Sequence, residues 1–119
     1  MMTVKIRPEV LHFAEAMEEK LAINDHKGGW DSMSMERLFF RMKDEIREME
    51  MAVKSLAADI LYKGQTYTDR DARLVRQEAA DVANFCMMMA ENCDRLAKIV
   101  KGDEKRRDRK VQDDEVSND

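Results

Sequence analysis

Apolar residues recur along the first part of the chain at the spacing of an amphipathic helix. The pattern begins at Pro8, a residue suited to the first turn of a helix, and reaches about Asn24. A polar, glycine-rich run over residues 24–29 then breaks it. The sequence therefore predicts a helix over residues 8–24, followed by a loop that carries Trp30, the only tryptophan of the chain.

A longer apolar pattern begins after Ser32 and Ser34, either of which could cap a helix. Its steps alternate between three and four residues, and we call this set the predicted seam: Met35, Phe39, Met42, Ile46, Met49, Val53, Leu56 and Ile60. Such spacing is typical of helices that pack at shallow angles in a bundle. The pair Lys63 and Gly64 is a common helix terminus, so a second helix is expected to end there.

A third helix is predicted over residues 70–100, after a turn formed by residues 65–68. Because this connection is short, the second and third helices should form an antiparallel hairpin. Residues 103–119 contain two apolar residues among mixed charges and are predicted to be disordered in isolation. The expected fold is therefore all-α, with one domain over residues 1–102 and a charged tail over residues 103–119.

The composition agrees with long, solvated helices. Charged residues make up 39% of the chain and aromatic residues 6%, and the single proline and four glycines argue against a β-sandwich. The net charge of −4 gives no general reason to bind nucleic acid or anionic lipid. No signal peptide and no membrane span are visible. Cys86 and Cys93 are too far apart on one helix to form a disulfide, and we interpret them as small buried residues of a cytoplasmic protein.

Two acids of the third helix fall where apolar side chains are expected. Its apolar stripe consists of Leu74, Val82, Phe85, Met88, Met89 and Leu96. Helical geometry places Glu78 on the midline of this stripe and Asp81 on the same stripe one turn further on. Burying an ionised carboxylate without a partner is costly. Either an arginine (Arg41, Arg47 or Arg76) pairs with these acids, or the stripe faces a cation.

The second helix carries a matching pair of acids, Glu45 and Glu48. Residues three apart on a helix are neighbours, so both carboxylates can reach one point in space. Glu48 lies 16 residues before Gly64 and Asp81 lies 17 residues after it, so a hairpin that turns there brings both pairs to the same level. The four predicted ligands are Glu45, Glu48, Glu78 and Asp81.

Oxygen ligands without histidine or cysteine suit a hard cation, Mg²⁺ or Mn²⁺. No Glu-x-x-His pair occurs, which argues against a ferritin-like di-iron site. The chemistry that suits such an ion is the attack of water on a phosphoanhydride. Glu48 is the candidate that activates the water, and Glu45 is the second catalytic candidate.

The run Glu45-Ile46-Arg47-Glu48, followed after 29 residues by Glu78-Ala79-Ala80-Asp81, resembles the E-x-x-E and E-x-x-D motifs of the MazG-like all-α nucleotide pyrophosphohydrolases. The run His26-Lys27-Gly28-Gly29-Trp30 looks most like the small stand-alone members from phages and bacteria. The resemblance covers about residues 13–96. It implies Mg²⁺-dependent hydrolysis of a nucleoside or deoxynucleoside triphosphate to the monophosphate and pyrophosphate, in control or sanitation of a nucleotide pool. It also implies a homodimer or homotetramer in which hairpins from two subunits form a four-helix-bundle core.

Three further residues are candidates for substrate binding. Trp30 could stack on a base or close the end of the bundle, and Lys27 could bind phosphate or be merely solvated. Asn84 could hydrogen-bond a metal ligand or the nucleotide, or it could be a polar residue at an interface. Phe85 is interpreted as a core residue rather than a base contact, and the neighbouring methionines as core or dimer packing.

Two alternatives to this function remain open at the level of the sequence. One is a helical interaction or oligomerisation module without catalysis. The other keeps the enzyme class but changes the substrate to a phosphoribosyl-nucleotide.

Overall fold

A computed structural model gives the fold and describes residues 3–62 and 64–117. Over these residues the protein is all-α and has no strand, as the sequence predicts. The helices are α1 (Pro8–Ile23), a short 3-10 helix (Asp25–Lys27), α2 (Met35–Tyr62) and α3 (Gln65–Ser117). None of the helices in the described part of the chain is long and apolar enough to cross a membrane.

The ends of α1 are those that the sequence predicts. Pro8 occupies the first turn, where its missing N–H has no intrahelical partner to lose, and Glu9 adds a favourable negative charge there. At the other end Asn24 donates a hydrogen bond from Nδ2 to the Lys20 carbonyl at 3.1 Å. This contact satisfies one of the unpaired carbonyls of the last turn.

The start of α2 is determined by Ser34. The backbone N–H of Arg37 donates to the Ser34 hydroxyl at 3.1 Å, which is the geometry of an N-cap. Of the two serines that the sequence offers, Ser34 is therefore the cap. At the other end, Lys63 lies outside the described residues, and Gly64 has a φ of +80°.

The turn between α2 and α3 is tighter than the sequence predicts. Helix α3 already begins at Gln65, so the prediction of a turn over residues 65–68 is wrong. The Thr68 N–H donates to the Gly64 carbonyl at 3.2 Å, and the Thr68 hydroxyl donates to the same oxygen at 3.0 Å. Because Gly64 adopts the left-handed conformation that glycine allows, the following residues can enter a helix at once.

The side-chain contacts show that α2 and the first part of α3 run antiparallel. Asp59, near the end of α2, lies 3.9 Å from Arg70, near the start of α3. Met42, nearer the start of α2, lies 3.5 Å from Cys86, further along α3. Residue numbers thus rise on one helix as they fall on the other, which confirms the predicted hairpin.

Helix α1 lies alongside α3 and runs in the same direction. Arg76 donates to the His12 carbonyl at 3.3 Å, and Asn84 donates to the Met17 carbonyl at 3.0 Å. Both residue numbers rise together along the contact. This arrangement is expected when the chain reverses direction between α1 and α2 and again between α2 and α3.

The buried face of α2 is rotated from the predicted seam. The side chains that are buried or half-buried are Met35, Leu38, Met42, Glu45, Met49, Ala52, Leu56 and Asp59, which we call the inward stripe. The other half of the predicted seam is exposed, and we call it the exposed stripe: Phe39, Ile46, Val53 and Ile60. The apolar pattern is compatible with either side, and contacts within this chain select the side that contains Glu45.

The chain divides into two compact units, Met1–Met89 and Ala90–Asp119. Within the second unit, α3 carries ion pairs at helical spacing, Arg95 with Glu91 at 3.3 Å and Arg106 with Asp103 at 2.7 Å. Residues 103–117 are helical, which differs from the disorder that the sequence predicts. Pairs of opposite charge three or four residues apart support such a helix without a hydrophobic core. The domain boundary at residue 102 stays a prediction.

The interpretation of the two cysteines as buried residues is wrong. Both Cys86 and Cys93 are exposed, free thiols. The sulfur atom of Cys86 lies 3.5 Å from that of Met42, and the Cys86 side chain is nevertheless exposed.

Candidate metal centre

The contact between α2 and α3 brings three carboxylates to one place. Glu45, Glu78 and Asp81 each have an oxygen atom within 4.8 Å of an oxygen of the other two, and all three side chains are half-buried. Glu45 belongs to the inward stripe of α2, while Glu78 and Asp81 lie one turn apart on the facing side of α3. Such a group has the size and the donors to hold a metal ion.

Glu48 lies beside this group rather than within it. Its side chain is exposed, and its charge helps to raise the pKa of Glu45 and of Glu78. The sequence predicts four ligands and singles out Glu48 as the one that could activate water. The structure groups Glu45, Glu78 and Asp81 and leaves Glu48 exposed beside them. The reason is the orientation of α2, because the side that meets α3 carries Glu45 and does not include Glu48.

Crowding of these acids raises their affinity for protons. Burial, and then the charges of Glu48 and Asp81, raise the pKa of Glu45 from 4.5 to about 7. Burial also raises the pKa of Glu78, again followed by the charges of Glu48 and Asp81, and Lys20 opposes this shift. The carboxyl groups therefore repel one another when ionised, and a cation between them would remove that repulsion.

Two buried oxygen atoms of the group have no hydrogen-bond partner among the described residues. They are Oε2 of Glu45 and Oε2 of Glu78. Buried polar atoms are almost always paired in folded proteins, so each unpaired one calls for an explanation. A donor set made only of carboxylate oxygens, with open lone pairs, fits the ligand preference of Mg²⁺ or Mn²⁺.

Among the described residues, Lys20 is a cation that contacts the group directly. Lys20 of α1 places its Nζ atom 3.3 Å from Oδ2 of Asp81, and the two side chains are 26% and 18% exposed. The sequence analysis did not identify Lys20. No pattern in the sequence indicates this contact, because it depends on how α1 packs on α3.

The three arginines considered as partners for Glu78 and Asp81 make other contacts. Arg47 lies 3.8 Å from Asp44, Arg76 donates to the His12 carbonyl, and the Arg41 guanidinium lies 5.8 Å from the centre of the Phe85 ring. The described contacts therefore leave Lys20 as the cation that the chain itself brings to Asp81.

A cleft of about 390 Å³ adjoins the acids, with Glu45 and Asp81 in its wall. Its remaining lining includes four cations, two aromatic rings and two amides: Lys20, Lys27, Arg37, Arg41, Trp30, Phe85, Asn24 and Asn84. All three residues that the sequence analysis proposed for substrate binding thus line one cleft. Arg37 and Arg41 are additions that sequence spacing could have supplied, because they precede Glu45 by eight and four residues and so share its face of α2.

Asn84 connects α1 to α3 at the edge of this cleft. The residue is only 4% exposed, and its Nδ2 donates to the Met17 carbonyl at 3.0 Å. A carbonyl can only accept, so the amide nitrogen must face α1. The Oδ1 atom, by contrast, has no partner among the described residues. Contact between Asn84 and a ligand stays a prediction, and its contact with α1 is established.

Phe85 is less enclosed than a core residue. It is half-buried, lines the cleft and lies beneath the Arg41 guanidinium. Its ring therefore contacts a cation at the wall of the cleft, whereas the sequence favoured a core position.

A second pair of acids lies near the turn of the hairpin. Asp59 and Asp71 are 8% and 3% exposed, and Arg70 approaches both, at 3.9 Å and 3.5 Å. A hydrogen bond with Asp59, and then burial, raise the pKa of Asp71 against the opposing charge of Arg70. This pair contains its own cation, and we interpret it as a structural contact between the two helices.

Comparisons with protein-family models, with curated proteins and with solved structures found no match to this chain. The function is therefore argued from the residues and contacts described above.

Proposed function

We propose that this protein is a Mg²⁺-dependent nucleoside triphosphate pyrophosphohydrolase of the MazG-like all-α type. It would hydrolyse the bond between the α- and β-phosphates and release a nucleoside monophosphate and pyrophosphate. The observation that carries this proposal is the convergence of Glu45, Glu78 and Asp81, two of them with unpaired buried oxygens, at a cleft rich in cations. Mn²⁺ is the alternative ion for the same ligands.

The lining of the cleft supports a nucleotide as the ligand. Lys27, Arg37 and Arg41 offer positive charge to a polyphosphate, and guanidinium groups bind phosphate oxygens with matching geometry. Trp30 and Phe85 offer aromatic faces on which a base can stack. These groups lie around the same opening as the acids, so one ligand could meet all three kinds of contact.

Each acid has a distinct role in the proposed reaction. Glu45, Glu78 and Asp81 would hold the ion, which offsets negative charge on the phosphates during hydrolysis. Glu48 is exposed and adjoins two of these ligands, so it would accept the proton of the attacking water. The water oxygen forms a bond to phosphorus, the bridging P–O bond breaks, and pyrophosphate leaves. Glu45 must be deprotonated for this reaction, whether it binds the ion or assists Glu48.

The proposal is tested by pyrophosphate release from a panel of ribo- and deoxyribonucleoside triphosphates, with and without Mg²⁺. We expect release that requires Mg²⁺, and a rise in melting temperature when Mg²⁺ alone is added. Glu78→Gln and Asp81→Asn should each lower kcat by at least about 100-fold. Loss of a residue that only hydrogen-bonds a metal ligand already costs up to about 100-fold, and these two residues would be ligands themselves. Glu50→Gln is the matched control, because Glu50 is exposed and pairs with Lys54 at 3.0 Å. Activity that survives both site substitutions would refute the metal mechanism.

We also propose that the protein assembles as a homodimer or homotetramer with a four-helix core. The exposed stripe on α2 supports this assembly, because Phe39, Ile46, Val53 and Ile60 are each more than 40% exposed. A second copy could cover these residues with its own hairpin. The exposed free thiols suit a reducing compartment, and we propose the cytoplasm.

The exposed stripe also supports the second candidate, a helical interaction module without catalysis. In that case the acids would be a structural cluster that Lys20 neutralises in part. No pyrophosphate from any substrate, together with no Mg²⁺-dependent rise in melting temperature, would favour this module. A phosphoribosyl-nucleotide belongs in the substrate panel, since the same ion and phosphate contacts would serve it.

A further inference from the structure

We propose that Lys20 couples metal binding to phosphate binding: its ammonium group pairs with Asp81, and a metal ion on Asp81 redirects it to a polyphosphate anion in the adjoining cleft. The inference rests on the metal centre of the proposed function and names a ligand-binding residue that the sequence analysis did not find. It concerns the polyphosphate part of the ligand, whatever base the ligand carries.

The first argument is the position of the ammonium group. The Nζ atom of Lys20 lies 3.3 Å from Asp81 Oδ2, and Asp81 is one of the three acids that could hold an ion. Both side chains are largely enclosed, so water screens their interaction only in part. Lys20 also opposes the rise in the pKa of Glu78, which places its charge within reach of two of the three acids.

The second argument is competition for one carboxylate. A divalent ion held by Asp81 would repel an ammonium group at the same carboxylate, and it would also neutralise the charge that attracts that group. Lysine has a flexible four-carbon side chain that can turn to another partner. Since Lys20 lines the cleft together with Arg37 and Arg41, an anion bound there is the nearest alternative partner.

The third argument is that the backbone beneath Lys20 is held in place. Asn84 donates to the carbonyl of Met17, one turn before Lys20 on α1, and Asn84 is almost fully buried. Two contacts therefore join α1 and α3 at this level, Met17 with Asn84 and Lys20 with Asp81. A change of partner by Lys20 requires rotation of its side chain and no movement of the helix.

The arginines of the cleft can bind phosphate, but a metal ion would not displace them from a carboxylate as it would displace Lys20. Arg41 lies over the Phe85 ring, and neither Arg37 nor Arg41 forms an ion pair with a carboxylate among the described residues. Lys20 is the cleft cation with a direct ion pair to the metal centre, so its removal should affect metal and phosphate in opposite directions.

The experiment measures two ligands separately on the full chain by titration calorimetry. The probes are Mg²⁺ alone, and inorganic pyrophosphate in the presence of saturating Mg²⁺. In Lys20→Met, we expect Mg²⁺ to bind several-fold more tightly, because the competing ammonium group is gone. Pyrophosphate should bind at least about tenfold more weakly, as expected for one lost charge-assisted hydrogen bond.

Two control variants separate this role from a structural one. Lys20→Arg keeps the charge and should restore most of the pyrophosphate affinity. Lys54→Met removes an exposed lysine that pairs with Glu50, and it should change neither affinity. Lys20→Gln provides a second neutral variant if Lys20→Met does not fold, as judged by its melting curve.

Opposite shifts for the two probes support the proposal. Weaker binding of both probes to the neutral variants would mean that the ion pair merely holds the site together, and unchanged binding would mean that the arginines bind the phosphates; either result overturns it. If opposite shifts occur but no nucleotide is hydrolysed, Lys20 keeps its role and the proposed hydrolase is wrong. If nucleotides are hydrolysed but the two affinities do not shift in opposite directions, the proposed hydrolase stands and the role of Lys20 is wrong. If the wild-type protein binds neither probe, both proposals are wrong.

Discussion

Glu45 occupies a position that a hydrophobic residue would normally take. It lies on the inward stripe of α2, seven residues from Leu38 on one side and from Ala52 on the other, and both of these residues are buried. The neighbouring charges of Glu48 and Asp81 add to the effect of burial on its pKa. The protein thus gives up stability at this position, a trade that is common at functional sites.

The raised pKa of Glu45 predicts a pH-dependent loss of stability without metal. Between pH 4.5 and about 7 the folded chain keeps a proton that the unfolded chain has released. The free energy of unfolding must therefore fall as the pH rises through this window. At about 1.4 kcal/mol per pKa unit, the loss is on the order of 2 kcal/mol after allowance for partial exposure.

The measurement is urea unfolding of Glu45→Gln and of the wild-type protein in a chelator, at pH 4.5 and at pH 8, at one protein concentration. We expect the two proteins to be similar at pH 4.5 and Glu45→Gln to be more stable at pH 8, since glutamine cannot ionise. Glu50→Gln should follow the wild-type protein at both values. Identical pH dependence of Glu45→Gln and wild type would contradict the prediction.

The elements of the fold depend on a few residues at their ends. Pro8 and Ser34 begin α1 and α2 as their residue types predict, and Gly64 provides the reversal between α2 and α3. The start of α3 was predicted five residues too late. Neither the propensities of residues 65–68 nor their order distinguishes a turn from the first turn of a helix, so the conformation of Gly64 decides it.

Gly64→Ala tests the importance of this reversal. An added methyl group would meet no atom within 4 Å, so the cost is conformational and not steric crowding by neighbours. A non-glycine residue in the left-handed region costs about 1–2 kcal/mol, and we expect the free energy of unfolding to fall by that amount.

Gly102→Ala is the matched control for this substitution. Gly102 lies within α3 and has no positive φ, and the nearest atom to its added methyl group is the flexible end of Arg106, at 4.0 Å. Alanine should therefore stabilise that helix by about 0.5–1 kcal/mol. The two substitutions should shift the urea midpoint in opposite directions, and a shift in the same direction would count against the role of Gly64.

At the scale of the whole molecule, the exposed stripe predicts self-association. Val53 lies on this stripe at 47% exposure, and a charge at its position would have to be buried if a second copy packs there. We expect Val53→Glu to shift the protein to a monomer in sedimentation velocity at micromolar concentration. Met51→Glu is the control, because Met51 is exposed and lies about 160° from Val53 around α2. A wild-type protein that sediments as a monomer would rule out the proposed assembly.

Much of the candidate site was accessible from the sequence. Helical periodicity placed Glu78 and Asp81 on an apolar stripe, and the distances of Glu48 and Asp81 from Gly64 put the acids of both helices at one level. The proximity of Glu45, Glu78 and Asp81 agrees with that reasoning. The register of the two helices could be predicted from the sequence because a hairpin with a short turn leaves little freedom in it.

The remaining parts depend on contacts between helices that lie far apart in the sequence. Lys20 reaches Asp81, and Asn84 reaches Met17, only because α1 packs against α3. The exposed position of Glu48 follows from which side of α2 meets α3, and the apolar pattern of α2 permits two sides. No local pattern carries this information.

By itself, then, the sequence determined that the protein is helical, where α1 and α2 begin, and which acids share a level, because these properties follow from local periodicity and short connections. The tertiary structure decided which face of α2 is buried, which acids are enclosed and which cation contacts them. These features depend on packing over the whole unit Met1–Met89. There the burial of apolar side chains stabilises the fold, and the cost of enclosing charged side chains opposes it.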